Sequence, residues 1–385
     1  MPRTVKVLGF VSLLADVASD MVAPILPVFL TTMLGAGPAA LGFIEGVAET
    51  TASLVKLVSG RLADRGTSAK GLAVAGYLLA AAARPFLALA TSWPHVLALR
   101  FTDRVGKGIR TAPRDAILSA SVESAIRGRA FGFHRSMDHL GATLGPLVAL
   151  ALVALGVEMR ALFVLALVPG LAAVVLLALG VPQQPRSLEV PRLQPLSWSS
   201  LPARLRRLLV ASGLLAFASV PDAFLVLWLA DRHLSLAWIL LAWAAASAVR
   251  AATAWPAGWL SDHLGRTPVL VTTWVLRAAA LAAIPGVSGV VTVISLYLTW
   301  CALTAATEGA ERALIGDVAE PSVRGTAFGS YHLVVGLCAL PGAAIFGALW
   351  QCVSLDVAFL YAAAFTLLAA CWLGVAARMA HARRA

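Results

Sequence analysis

The side chains best equipped for chemistry stand where the chain is otherwise most apolar. The stretch Arg100-Phe-Thr-Asp-Arg-Val-Gly-Lys-Gly-Ile-Arg-Thr-Ala-Pro-Arg-Asp115 carries five basic and two acidic residues in sixteen positions, between runs of Leu, Ala and Val. On a helix, Arg100, Asp103, Arg104, Lys107, Arg110 and Arg114 fall within about 120° of arc, and Phe101, Val105 and Ile109 take the opposite side. A surface loop would show no such stripe. The apolar run before it, Val96-Leu-Ala-Leu99, is too short to cross a bilayer alone, so the charged stretch is predicted to continue the same helix. Charge inside a bilayer is costly unless it meets water or a partner. Arg100, Arg104 and Lys107 are therefore expected to face an aqueous cavity or the acids of other helices. Arg110 and Arg114 have a second option, reaching the headgroups by snorkelling.

Acids are available. Asp16 and Asp20 are spaced i, i+4 just before Pro24 and Pro27, and Glu45 and Glu49 repeat that spacing with Lys56 two turns on. His134, Arg135, Asp138 and His139 form another group. The second half offers Asp222, Arg250, Arg277, Glu308, Glu311, Arg312 and His332, more dispersed. Buried acids that trade partners with Arg or Lys can carry a proton. Asp16, Asp20, Asp103 and Asp138 are the candidates for that role. Arg100, Arg104, Lys107, Arg110, Glu45, Glu49, Glu308 and Glu311 are candidates to line a substrate cavity. The same residues have a static reading, in which fixed ion pairs merely lock helices together; it applies most to Glu45, Glu49, Asp20 and Asp103.

The elements that must position these groups follow from composition. The 385 residues are 60% hydrophobic and 13% charged, with a net charge of +11. Soluble domains average about 25% charged residues, so this chain cannot supply a charged shell, and an all-α integral membrane protein is expected. Its positive charge suits basic cytoplasmic loops better than a nucleic-acid partner. A spanning helix needs ~20 mainly apolar residues. About twelve such runs can be marked: 7–33, 38–62, 70–91, 94–118, 127–154, 160–181, 207–231, 236–260, 268–285, 290–316, 325–350 and 356–378. The N-terminal run contains Asp16 and Asp20 and lacks a signal-peptidase pattern, so it is read as a retained first span. The four cysteines, Cys301, Cys338, Cys352 and Cys371, lie in apolar runs without metal spacing.

The longest polar interval, 182–206, reads as a linker between two six-helix halves, 1–181 and 207–385. Basic residues such as Arg61, Arg65, Lys70, Arg127, Arg129, Arg204, Arg266 and Arg324 sort to one side of the resulting zigzag, and Arg160 and Arg232 to the other. By the positive-inside rule both termini and the linker are cytoplasmic. Two internal repeats support the halving. Gly60-Arg-Leu-Ala-Asp64 is matched by Gly258-Trp-Leu-Ser-Asp262, and Arg127-Gly-Arg-Ala-Phe-Gly132 by Arg324-Gly-Thr-Ala-Phe-Gly329. By the 197-residue offset of the second pair, Glu311-Arg312 corresponds to Arg114-Asp115, with the signs reversed.

These motifs resemble those of the major facilitator superfamily. Gly60-Arg-Leu-Ala-Asp-Arg65 is similar to the family's signature between its second and third helices, although Thr67-Ser-Ala-Lys70 replaces the usual Gly-Arg-Lys continuation. Gly258-Trp-Leu-Ser-Asp-His-Leu-Gly-Arg266 resembles its weaker second copy. Arg100 with Gly106 and Gly108 resembles the fourth-helix motif, and Gly141-Ala-Thr-Leu-Gly-Pro146 the fifth-helix motif of proton-driven exporters. The resemblance implies a conformational gating role for Gly60, Asp64, Arg65, Gly258, Asp262, Arg266, Gly141, Gly145 and Pro146. Without it, Asp64 ends a plain polar turn, and Gly145-Pro146 is a kink without further role.

The resemblance implies a twelve-helix carrier of the cytoplasmic membrane, working by alternating access as a monomer on a small-molecule substrate and protons, among membrane lipids. Proton-coupled export of an organic solute is the favoured function. A carrier of anionic metabolites and a non-transporting sensor or lipid-handling protein are the alternatives. Neither nucleotide-loop, nucleophile nor metal-ligand spacing occurs, so no enzyme, cofactor, metal or nucleic-acid role is expected.

Overall fold

The computed structural model describes residues 1–64, 67–122, 127–183, 201–318 and 324–382. All the regular structure among them is helical. The helices are α1 (Arg3–Asp20), α2 (Leu26–Val28), α3 (Pro38–Asp64), α4 (Ala69–Ala83), α5 (Trp93–Ala120), α6 (Arg127–Ala154), α7 (Met159–Leu165), α8 (Leu167–Gly180), α9 (Ala203–Phe217), α10 (Asp222–Asp231), α11 (Leu236–Leu264), α12 (Arg266–Ala283), α13 (Val290–Val318), α14 (Arg324–Cys352) and α15 (Leu355–Ala382).

Among the described residues, nine helical segments are long and apolar enough to cross a membrane. The expected first, second and fourth spans do not meet that test. They contain α1, α3 and α5, the helices that carry Asp16, Asp20, Glu45, Glu49, Lys56 and the basic stripe. Charge, rather than length, sets these three apart. Large apolar side chains cover the outside of the molecule: Leu155, Leu179 and Val291 are 80%, 82% and 79% exposed. In water such surfaces would be unfavourable; against acyl chains they are not.

The first expected span, 7–33, is broken. Its helix stops at Asp20, a turn follows, and a π-helical turn runs over Phe29–Met33. Prolines 24 and 27 explain the break: neither offers an N–H to the carbonyl four residues earlier, and the ring of each crowds that carbonyl. Asp20 therefore stands at a helix end.

The repeat seen in the sequence is also present in the helices. Ala69, Trp93 and Arg127 open α4, α5 and α6; Arg266, Val290 and Arg324, each 197 positions later, open α12, α13 and α14. Two apolar cores are built from corresponding elements. One joins Leu8 and Val11 of α1, Tyr77 of α4, Ile117 of α5 and Leu177 of α8. The other joins Leu205 and Leu209 of α9, Trp274 of α12, Ile315 of α13 and Leu373 of α15.

Packing divides the chain into two compact units, and not simply by chain order. One comprises Met1–Ala36, Val47–Arg192 and Val226–Ala248; the other comprises Gly37–Gly46, Leu193–Leu225 and Val249–Ala385.

Candidate functional site: a charged face in the first unit

The first unit's charged site is assembled by glycines. On α5, a Cβ added to Gly106 would fall 2.7 Å from the Ala80 nitrogen, and one on Gly108 would fall 2.6 Å from the Val55 Cβ. These two positions let α5 lie directly against α4 and α3. On α6, a Cβ on Gly141 would meet Asp16 Cβ at 3.0 Å and the Leu13 carbonyl oxygen at 2.5 Å; one on Gly145 would meet the Asp20 carbonyl carbon at 3.0 Å. Small residues admit such close helix contact where bulkier ones cannot. Gly141 and Gly145 thus set α6 against the two acids of α1. Pro146 follows within α6.

The basic stripe forms on one continuous helix, as its spacing predicted. Its members then divide. Arg100 and Arg110 are buried, 9% and 5% exposed. The Arg110 guanidinium lies 4.2 Å from the Tyr77 ring centroid on α4. Asp103 is buried too, with its Oδ1 3.1 Å from Nη2 of Arg84 and its Oδ2 3.7 Å from Nε of Arg104. Arg84, Arg100 and Asp103 line a void of only about 10 Å³, the size of a single water. Arg100 and Arg110, candidates to line a substrate cavity, are thus both buried between helices in this structure. A desolvated guanidinium needs a carboxylate or an aromatic face: Tyr77 of α4 gives its ring to Arg110, and Asp103 of α5 gives its carboxylate to Arg84, the residue after α4. Arg114 pairs at 2.8 Å with its neighbour Asp115.

Arg104 and Lys107 remain half-buried. The charged neighbours of Lys107 are Arg104, Lys56, Asp16 and Glu49. Asp16 is half-buried, and its charged neighbours are Asp138, Arg110, Lys107 and Arg114. Among the described residues, no side chain hydrogen-bonds Asp16 or pairs with it directly. The other acids are engaged. Asp138 accepts a hydrogen bond from the Ser12 hydroxyl and lies 3.5 Å from His134 Nδ1 and 3.7 Å from Arg135 Nη1. Asp20 accepts the Trp243 indole N–H at 3.0 Å. Glu49 is exposed and Glu45 half-buried.

The second unit holds smaller polar groups. Arg250 Nη2 donates to Asp222 Oδ1 at 2.7 Å and to Cys301 Sγ at 3.4 Å. Glu311 accepts from the Trp274 indole at 3.3 Å and the Tyr331 hydroxyl at 3.0 Å. The Arg277 guanidinium lies 4.9 Å from the Trp300 ring centroid. Glu308 is half-buried. Cation and ring are exchanged between the repeats: α5 carries the cation and α4 the ring in one, α12 the cation and α13 the ring in the other.

Of the expected gating residues, Gly60 packs near Ala112, where an added Cβ would fall 3.4 Å from the Ala112 Cβ. Arg266 opens α12 behind Gly265, whose φ of 89° favours glycine. Arg65 lies outside the described residues, as do the side chains of Asp64, Asp262 and Arg312 and the surroundings of Gly258. Sequence reasoning missed Arg84, Tyr77 and Trp243. A lone arginine after Ala80-Ala-Ala-Ala83 was the one available signal for Arg84.

Apolar spans, repeated helix positions and a charged face held within one bundle define a multi-pass membrane transporter. The model of the Major Facilitator Superfamily matches residues 8–310, and the chain belongs to that family. It is 28% identical over 375 residues to an uncharacterized MFS-type transporter of Methanocaldococcus jannaschii, a match covering 96% of this chain and 93% of the relative. Over 166 residues it is 29% identical to the multidrug resistance protein MdtG of Salmonella heidelberg, covering 42% of this chain and 40% of that protein. Its fold is similar to the crystal structure of a bacterial homolog of the human lysosomal transporter Spinster in an inward-facing, occupied conformation. That match has a TM-score of 0.80 at 17% identity and covers 97% and 96% of the two chains.

Proposed function

We propose that this transporter exports a small organic solute in exchange for protons across the cytoplasmic membrane, and that Asp16 carries the proton. The observation supporting the reading is the setting of Asp16: a half-buried carboxylate, without a direct partner among the described residues, beside Lys107, Arg110 and Arg114. Ionised, it offsets part of that positive charge. Protonated, it leaves the positive charge of Lys107, Arg110 and Arg114 less compensated. The two states therefore differ in what the basic face will accept, which links proton and solute binding through one coupling free energy. Asp103 is assigned the structural role, because its carboxylate is committed to Arg84 and Arg104. Asp20 and Asp138 orient the acid helix through Trp243 and Ser12.

Export is favoured by the similarity to MdtG, a protein named for multidrug resistance. The fifth-helix motif Gly141-Ala-Thr-Leu-Gly-Pro146 adds to this, since two of its glycines sit against the helix bearing Asp16. In this reading, 1–181 and 207–385 are the two six-helix halves, the 182–206 linker and both termini are cytoplasmic, and Asp64, Arg65, Asp262 and Arg266 bias the alternating states. The protein works as a monomer. The anion-carrier reading draws on the basic stripe of α5, of which Arg104 and Lys107 are half-buried.

The test is solute flux in proteoliposomes with an imposed proton gradient. Across a panel of cationic, neutral and anionic solutes, the proposal expects uptake into inside-out vesicles that stops when an ionophore collapses the gradient. Flux that ignores the gradient contradicts proton coupling. Competition confined to organic anions favours the anion carrier.

A further inference from the structure

The second unit contains a cavity of about 780 Å³, away from every residue used above for proton or solute. It is formed where α9 and α12 begin, α11 ends and α15 runs out. Four arginines line it: Arg204, Arg207, Arg266 and Arg378. Among the described lining residues there is no Asp or Glu. Positive charge from Arg204, Arg207 and Arg378 gathers around one cavity, and an anion placed there is attracted to it.

The rest of the wall is apolar, with Leu208, Val271 and Leu373 prominent. Free inorganic anions gain nothing from such a wall. An amphiphile with an anionic head gains from both parts. Two features suit the head to a phosphate. Arg204 and the pair Arg266–Thr267 lie in the first turns of α9 and α12, where backbone N–H groups and helix dipoles favour phosphate oxygens. The arginines also offer planar forks that phosphate can accept two at a time. Arg207 donates one N–H to the Ala376 carbonyl at 3.4 Å, which ties α9 to α15 and leaves further donors on the same fork. A third feature sets the depth. Trp372 is exposed and donates its indole N–H to the Arg207 carbonyl at 3.1 Å. Tryptophans with one apolar face and one bonded N–H gather at the headgroup level of a bilayer.

We propose that this cavity binds an anionic phospholipid. Its phosphate is held by Arg204, Arg207, Arg266 and Arg378, and its acyl chains lie along Leu208, Val271 and Leu373. Among its described lining residues the pocket has no carboxylate for a choline or ethanolamine group, so zwitterionic lipids gain no second contact from them. Basic pockets between transmembrane helices are a recurrent form of anionic headgroup recognition.

The experiment uses the full chain in detergent and reads its melting temperature against added short-chain phosphatidylglycerol, short-chain phosphatidylcholine or inorganic phosphate. Phosphatidylglycerol is expected to raise it, and the other two to leave it nearly unchanged. Arg207→Gln and Arg378→Gln should each weaken the apparent phosphatidylglycerol affinity about tenfold. Arg206→Gln, one residue from the pocket's Arg207, should not. An equal shift from phosphatidylcholine, or from inorganic phosphate alone, overturns the assignment, as does an equal loss in Arg206→Gln. If the arginine variants do not fold, the wild type decides alone. Phosphatidylglycerol with a photoactivatable acyl chain should cross-link to 264–271 and 373–378, and cross-links confined to other helices overturn the proposal.

Discussion

The Cβ that Gly141 lacks would fall 3.0 Å from the Cβ of Asp16. Helix α6 therefore lies directly against α1 at the height of the acid to which the proton is assigned. The absent side chain of one residue fixes the surroundings of the other.

Gly141→Ala should consequently move α1. The added methyl would also stand 2.5 Å from the Leu13 carbonyl oxygen, backbone that cannot turn aside. Overpacking of this kind costs about 1–3 kcal/mol. The variant should melt at a lower temperature and lose gradient-driven flux, whereas Thr143→Ala, two positions along, should change either little. Thermal unfolding and flux on the two variants check this.

Arg84 and Asp103 should behave as a structural lock. Removing one partner leaves a buried charge uncompensated, at a cost of about 3–5 kcal/mol. Arg84→Met and Asp103→Leu should each lower thermal stability strongly. The double variant Arg84→Met/Asp103→Leu should recover most of the loss. A double-mutant cycle on melting temperatures measures it; additive losses would contradict the lock.

Tyr77→Leu should unseat Arg110 without removing any charge. A desolvated cation over an aromatic ring contributes about 1–2 kcal/mol. The expected result is a modest loss of thermal stability that disappears when Arg110 is replaced as well.

Much of this was legible in the sequence, for identifiable reasons. Charge periodicity placed Arg100–Arg114 on a helix, because a 3.6-residue stripe is a local property. The pairs Asp16/Asp20 and Glu45/Glu49 were visible for the same reason. The glycines at 106, 108, 141 and 145 could be picked out, but not what they touch. Partners far apart in the chain were hidden: Arg84 with Asp103, Arg110 with Tyr77, Asp20 with Trp243 and Asp138 with Ser12. A helical wheel ranks residues by angle and says nothing of depth. It grouped Arg100 and Arg110 with Arg104 and Lys107, although the first two are buried and the other two are not. The arginine pocket of the second unit was not legible because its four cations come from three separate stretches of chain, α9, α12 and α15.

Orientation can be checked chemically. With Cys352 and Cys371, both exposed, first replaced by serine, single cysteines at Gly37 and Ser197 should label from opposite sides of the membrane. Labelling of both from the same side would contradict the cytoplasmic placement of the linker.

The central claim is that Asp16 couples proton and solute, and one measurement tests it most directly. Asp16→Asn is compared with wild type in two assays on the same proteoliposomes: uptake driven by a proton gradient, and exchange of solute with no gradient. The account predicts that gradient-driven uptake falls to background while exchange continues at a rate near that of wild type. Asp16→Asn that still accumulates solute against its gradient as wild type does would contradict it.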